Sequence, residues 1–262
     1  MADSDKKALA GSWPELVRQI RVRTPARLLQ GRVGAGYLTG TQLDLRAAHA
    51  AARDAVRMEL DARTIFGEGF AERWGLFETS TRARTKDQYL LNPDLGRHFD
   101  DVSRAEILRR CAPHPMLQIA IGDGLSVPAL AAQLPALLPA LHESATRRGW
   151  TVGQTFVIRH CRVGILNEIG ELVDPSVAVL LIGERPGLAT VESLSAYMVY
   201  HPDASHTDAN RNLVSNIHER GCKPAEAAEH ILHLAERMVA ERISGWQLKT
   251  GDRHSKPAIQ GG

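Results

Sequence analysis

Two short loops carry the residue types from which a ligand site could be built. Gly122-Asp123-Gly124-Leu125-Ser126 follows the apolar run Met116–Ile121, and Gly183-Glu184-Arg185-Pro186-Gly187 follows Val177–Ile182. Glycines let a ligand come close to the backbone, and a helix opened by Ser126 offers N–H groups to an anion such as phosphate. The second loop sets an ion-pair-capable Glu-Arg couple on a turn bounded by glycine and proline. In open parallel sheets ligands bind beyond the carboxyl ends of the strands, so two such loops at one edge point toward a nucleotide-like ligand. A tight strand-to-helix turn needs glycine for its dihedrals too, so a single loop of this kind decides nothing. Gly122-x-Gly124 lacks the third glycine of the dinucleotide fingerprint, and nothing matches the phosphate-binding GxxxxGK pattern.

Other chemistry finds less support. His230 and His233 lie one helical turn apart, the closest approach to a metal-ligand pair, but no third ligand stands near them in the chain, and His160 sits beside Arg159. Ser193 and Ser195, in Glu192-Ser-Leu-Ser-Ala196, have no identifiable base, and no GxSxG is present. Cys111, Cys161 and Cys222 form no CxxC spacing, and an odd number argues against a disulfide framework, so they read as packed thiols. Between Glu15 and Asp44 there is no acid, while Arg18, Arg21, Arg23, Arg27 and Arg32 fall in that stretch. That run could bind a polyanion, or form a solvated face or pair with acids elsewhere in the fold. No aromatic residue interleaves with the arginines to stack on bases, which argues against nucleic acid. No constellation resembles an active site that works alone.

The elements that must position these residues fall into two parts. With 262 residues, 44% hydrophobic and 24% charged, and a formal charge of +2, the chain has the composition of a soluble globular protein. No apolar run approaches the roughly 18 residues of a membrane span, and Met1–Lys7 lacks a signal-peptide core, so a cytoplasmic protein is expected. The first ~110 residues read as helices punctuated by glycine and proline. An amphipathic piece at Pro14–Val22 precedes a break at Gly31, Gly34, Gly36 and Gly40. A long helix follows, with Leu43, Leu45, Ala48, Ala52, Val56 and Leu60 as its buried stripe, and a short ribbon is expected near Leu76–Thr81. After Pro115 short apolar runs alternate with helix-length segments, the signature of an α/β fold with mostly parallel pairing. Strands are expected at Met116–Ile121, Thr155–Val163, Val177–Ile182 and Ala196–Tyr200. Helices are expected after Ser126, at Ile165–Leu172, at Asp208–Glu219 and from Pro224 to Ile243. The expected division is a mainly helical part over 1–112, a sheet domain over 113–250 and a flexible tail over 251–262.

A set of strings in fixed order resembles one family, the small subunit of adenosylcobalamin-dependent ethanolamine ammonia-lyase. The strings are Thr24-Pro-Ala-Arg27 with Gly31-Arg-Val-Gly34, Ala52-Arg-Asp-Ala-Val56, Tyr89-Leu-Leu-Asn-Pro-Asp-Leu-Gly-Arg97, Gly122-Asp-Gly-Leu-Ser126, Arg162-Val163, Gly183-Glu-Arg-Pro-Gly187, Glu192-Ser-Leu-Ser195 and Ser215-Asn-Ile-His218. The resemblance spans roughly residues 24 to 245 and implies a helical amino-terminal part followed by a Rossmann-like, mostly parallel sheet domain. It implies a large-subunit partner with a TIM-type barrel that binds ethanolamine and carries the catalytic side chains, with adenosylcobalamin between the two subunits. The complex would be a carbon–nitrogen lyase converting ethanolamine to acetaldehyde and ammonia. By motif, the cobalamin contacts of this subunit would fall on Val163, Glu184 and Leu213, with no metal ligand of its own. The DxHxxG string of cobalamin domains that supply a histidine is accordingly missing, the one Asp-x-His being Asp252-Arg-His254. Some family members carry a targeting extension for a bacterial microcompartment, and none is evident before Thr24. Two other readings stay open on the residues alone: a stand-alone nucleotide-binding regulatory module, and a polyanion-binding protein acting through Arg18–Arg32.

Overall fold

The computed structural model describes residues 15–23, 27–187 and 189–248. Thr24-Pro25-Ala26 of the first motif and the expected tail lie outside them. From its amino end the chain forms α1 (15–23), an antiparallel two-residue hairpin of β1 (Arg32–Val33) and β2 (Gly36–Tyr37), and the long α2 (Thr39–Arg57). Gly34 turns the hairpin at φ +59°, a conformation that costs a residue with a Cβ. Most of the stripe expected along this helix is not core: within α2 Ala55 is the one buried residue and Leu43 is 58% exposed, while Leu60, beyond the helix end at Arg57, is buried in the core. The apolar spacing reads correctly as helix but is largely alanine, and little of the fold lies against it.

Short helices α3 (Ala62–Phe66) and α4 (Glu68–Arg73) lead into β3 (Phe77–Ser80), α5 (Lys86–Leu91) and α6 (Asp101–Arg110). Then come β4 (Leu117–Gly122), α7 (Val127–Arg147), β5 (Phe156–Arg159), α8 (Ile165–Val173), β6 (Val177–Gly183), β7 (Leu194–Tyr200), β8 (Asn212–Ile217) and α9 (Pro224–Glu241). One six-stranded sheet runs in the order β3-β5-β4-β6-β7-β8. The pairings β3–β5, β5–β4 and β4–β6 are parallel, while β6–β7 and β7–β8 are antiparallel. The fold is mixed α/β, as expected, and the ribbon near Leu76–Thr81 is the outer strand of this sheet, pairing with β5 across residue 112.

Period-two alternation divides the core. Leu117, Ile119 and Ile121 of β4, with Val177, Val179 and Leu181 of β6, pack under α7 and α9. Ala120 and the β6 residues Ala178, Leu180 and Ile182 face α8 and the Phe77–Phe156 pair. Both strands are buried at every position, as a sheet covered on both faces requires. Ser126 caps α7 as expected, accepting from the Ala129 N–H.

Two expectations fail locally. The helix expected over Asp208–Glu219 is a single 3-10 turn, Asp208–Asn210, followed by edge strand β8. Val214 and Ile217 satisfy a helical spacing, but asparagine, serine and β-branched residues dominate the run and favour turn and strand. The strand expected over Thr155–Val163 stops at Arg159, because His160 enters the left-handed region at φ +57° and swings the chain off the sheet.

Candidate functional site

Beyond the carboxyl ends of β4, β5 and β6 lies an open cavity of about 430 Å³, lined among others by Arg162, Val163, Glu184, Tyr197, Leu213 and Ser215. The three residues singled out from the sequence, Val163, Glu184 and Leu213, thus face one space although 50 residues separate the first from the last. A neighbouring hollow of about 730 Å³ shares Arg162, Val163 and Tyr197, and adds Arg97, Asn167 and Arg211.

Glu184 directly follows β6 and is fixed from three sides. Ser193 Oγ donates to its Oε2 at 2.6 Å, Ser195 Oγ to Oε1 at 2.6 Å, and the Asn216 backbone N–H to Oε1 at 3.0 Å. Its own N–H donates to the Ser193 carbonyl at 3.0 Å. The two serines, which the sequence leaves without a base, therefore serve the carboxylate and not a reaction of their own. An ion pair with Arg185, the alternative role for Glu184, is not what holds it. The antiparallel register does the positioning: Ile182 opposite Ser195 and Leu194 opposite Ile217 bring three separate strings to one carboxylate. Charge-assisted hydrogen bonds of this kind are the strong class. Burial, then the nearby Glu184 carboxylate, raise the Tyr197 phenol above its usual range, so it remains an O–H donor.

Val163 sits on the bend between β5 and α8, beside Arg162. The Arg162 guanidinium stacks 4.2 Å from the Tyr89 ring centre and donates to the Tyr89 carbonyl at 3.2 Å, while its Nε is buried without a partner. A buried ion pair sits beneath this bend. Fully buried Asp123 accepts from Lys86 Nζ at 2.9 Å and from the Cys161 N–H at 2.8 Å, and Tyr89 Oη donates to the Cys161 carbonyl at 3.1 Å. Asp123 lies in the Gly122–Ser126 loop singled out from the sequence, but its partner Lys86 carries no recognisable signal there, since it sits in an ordinary polar context. Leu213 lies on β8 with 47% of its surface exposed, an apolar side chain at the cavity mouth.

The glycine loops answer the anion expectation. A Cβ at Gly124 would stand 2.4 Å from the Gly183 carbonyl oxygen, and one at Gly183 would stand 2.0 Å from the Ser126 carbonyl oxygen. Leu125 N–H donates to the Gly183 carbonyl at 3.1 Å, and Ser126 Oγ donates to the Val191 carbonyl. These glycines let the two loops close on each other. The arginine run is also engaged in part: Arg18 pairs with Glu15, Arg21 donates to the Leu28 carbonyl, and Arg32 lies over the Tyr37 ring. His233 stands 3.9 Å from Glu236, apart from any role shared with His230. Of the thiols, burial pushes Cys111 up to about 11 and Cys161 well above its usual value, so both are inert packing groups. Among the described residues no helix is long and apolar enough to cross a membrane.

Residues 14–249 match the family described as ethanolamine ammonia-lyase light chain. The chain is 41% identical over 227 residues to the ethanolamine ammonia-lyase small subunit of Fusobacterium nucleatum, covering 87% of this chain and 75% of that one. It is 38% identical over 235 residues to the Clostridium perfringens small subunit, with 90% and 78% covered, and 38% identical over 248 residues to that of Pseudomonas syringae, with 94% and 85% covered. The matched span takes in every strand of the sheet and every string that converges on Glu184, and on that footing the chain belongs to the ethanolamine ammonia-lyase light-chain family.

Proposed function

We propose that this small subunit holds one side of adenosylcobalamin in the cavity lined by Val163, Glu184 and Leu213, with the large, barrel-bearing subunit closing the other side and binding ethanolamine. The observation that carries this reading is the convergence itself: three motif positions face one open space around a carboxylate held in place beforehand. The lining suits a corrin, an apolar macrocycle fringed with amides. Val163 and Leu213 offer apolar contact, Glu184 accepts amide N–H groups, and Tyr197 and Ser215 offer hydroxyls.

Adenosylcobalamin supplies the radical chemistry by which ethanolamine becomes acetaldehyde and ammonia. This chain's residues bind and orient: Glu184 fixes amide side chains, Leu213 keeps water from the mouth, and the Asp123–Lys86 pair steadies the bend that presents Val163. Catalytic acid–base groups belong to the partner. Exposed Leu16, Val22, Leu28, Leu29, Val33 and Leu43, spread over α1, the segment after it, the hairpin and α2, supply apolar surface for it. The glycine loops pack on each other, which leaves the nucleotide-module reading without its main support.

Glu184 is a poor residue to mutate first, because replacing it also releases Ser193, Ser195 and Asn216. Leu213→Asp is cleaner, since the side chain is half exposed and belongs to neither core cluster. In the enzyme assembled with its large subunit, visible-spectrum titration of cobalamin should show binding weakened at least tenfold, about 1.4 kcal/mol, with the melting temperature of the subunit unchanged. Unaltered affinity at full saturation would sink the assignment.

A further inference from the structure

Away from the cavity, three unlike metal-binding groups meet at the start of α9. Cys222 precedes the helix, Glu226 lies in its first turn and His230 one turn on. Their ligand atoms all lie within 4.8 Å of one another, with Cys222 Sγ 3.9 Å from His230 Nδ1. Tetrahedral zinc, with Zn–S near 2.3 Å and Zn–N near 2.0–2.1 Å, needs sulfur and nitrogen roughly 3.5 Å apart, so a contraction of a few tenths of an ångström completes the geometry. Cys222 is not loosely placed. Its N–H donates to the Asn216 carbonyl at 2.9 Å, its carbonyl accepts from the His218 N–H at 3.1 Å, and it bridges to Ile217 at the end of β8. One thiol, one carboxylate and one imidazole form the donor set of a borderline-soft cation, whereas calcium and magnesium call for oxygen throughout.

We infer that Cys222, Glu226 and His230 form a three-ligand site for a divalent cation of the zinc class, with a fourth position open to solvent or to another ligand. Glu226 and His230 are exposed, so a cation has direct entry. The site stands independently of the cofactor reading. It also has a structural consequence: Cys222 is bonded to Asn216, whose own N–H holds Glu184, so an ion here braces the loop that borders the cavity.

Zinc alone is the probe, titrated into chelator-treated full-length chain against a chromophoric competitor, with cobalt(II) as the spectroscopic substitute. The wild-type chain should take up one equivalent, and the cobalt form should show a thiolate-to-metal charge-transfer band in the near ultraviolet. Cys222→Ser and His230→Ala should each weaken zinc binding by more than the ~10–100-fold that losing an outer-shell partner costs, and Cys222→Ser should abolish the band. Cys111 and Cys161 are buried and do not substitute for it. Melting in the presence of chelator should match wild type in both variants, which shows that the loss is one of ligands and not of fold. No stoichiometric uptake, uptake unchanged in Cys222→Ser, or a cobalt spectrum without the thiolate band would each overturn the assignment.

Discussion

His142 illustrates how a single side chain sets a pH limit on this fold. Its ring lies against Trp74, centroids 4.6 Å apart, and its Nε2 is 3.3 Å from Thr155 Oγ1. Burial lowers its pKa below the ordinary value of 6.5, so the unfolded chain takes up a proton first as pH falls. The contribution to stability is therefore complete above about pH 6.5 and is lost as pH drops from there toward the depressed folded value. Urea midpoints at pH 7.5 and 5.5 should show a larger drop for wild type than for His142→Gln, which keeps a hydrogen-bonding group without the titration. Equal drops would remove His142 from the account. At this scale the sequence is legible in residue type and silent on partners. Glu184 stands out as a carboxylate on a rigid turn, yet its three donors come from strings 9 to 32 residues away that only strand register brings together. Glu226 of the α9 cluster escapes notice because the spacing of a thiol, a carboxylate and an imidazole depends on how the chain bends into the helix at Pro224.

Among the elements, the two glycine loops show how closely β4 and β6 must finish. Gly183→Ala would force a methyl into the Ser126 and Asp123 carbonyl oxygens, 2.0 and 2.8 Å away, and a backbone obstacle gives less than a side chain would. The expected loss is about 1–3 kcal/mol, toward the upper end, in chemical denaturation. Gly187→Ala, four residues on, meets nothing nearer than 3.9 Å and should be close to neutral, so a similar loss in both would refute the packing argument. Strands buried on both faces and the helices between them were readable from continuous apolar runs and 3.6-residue periodicity, as β4, β6, α7 and α9 bear out. Edge elements were not. In β8 the burial alternates weakly, with asparagine and serine between Leu213, Val214 and Ile217, and a one-sided strand of that composition carries no run to distinguish it from a helical face.

Over the whole molecule, the contributions of the amino-terminal segments differ sharply. No described residue between 15 and 40 is buried. Deleting residues 1–38 should shift the melting temperature by less than about 2 °C while weakening association with the large subunit, read by co-purification. Deleting 1–112 removes β3 and uncovers the edge of β5, whose Phe156, Val157 and Ile158 are fully buried, and should give aggregated protein. A soluble, folded 113–262 fragment would contradict this. The parallel pairing of Ser80 with Arg159 also sets a timetable during synthesis. A strand completed early must wait for a partner about 80 residues downstream, roughly 4–16 s at bacterial to eukaryotic translation rates of about 5–20 residues per second. For that interval Phe77 and Thr79 emerge from the ribosome with no sheet to join, which makes the nascent chain, and not the finished subunit, the form most in need of a chaperone.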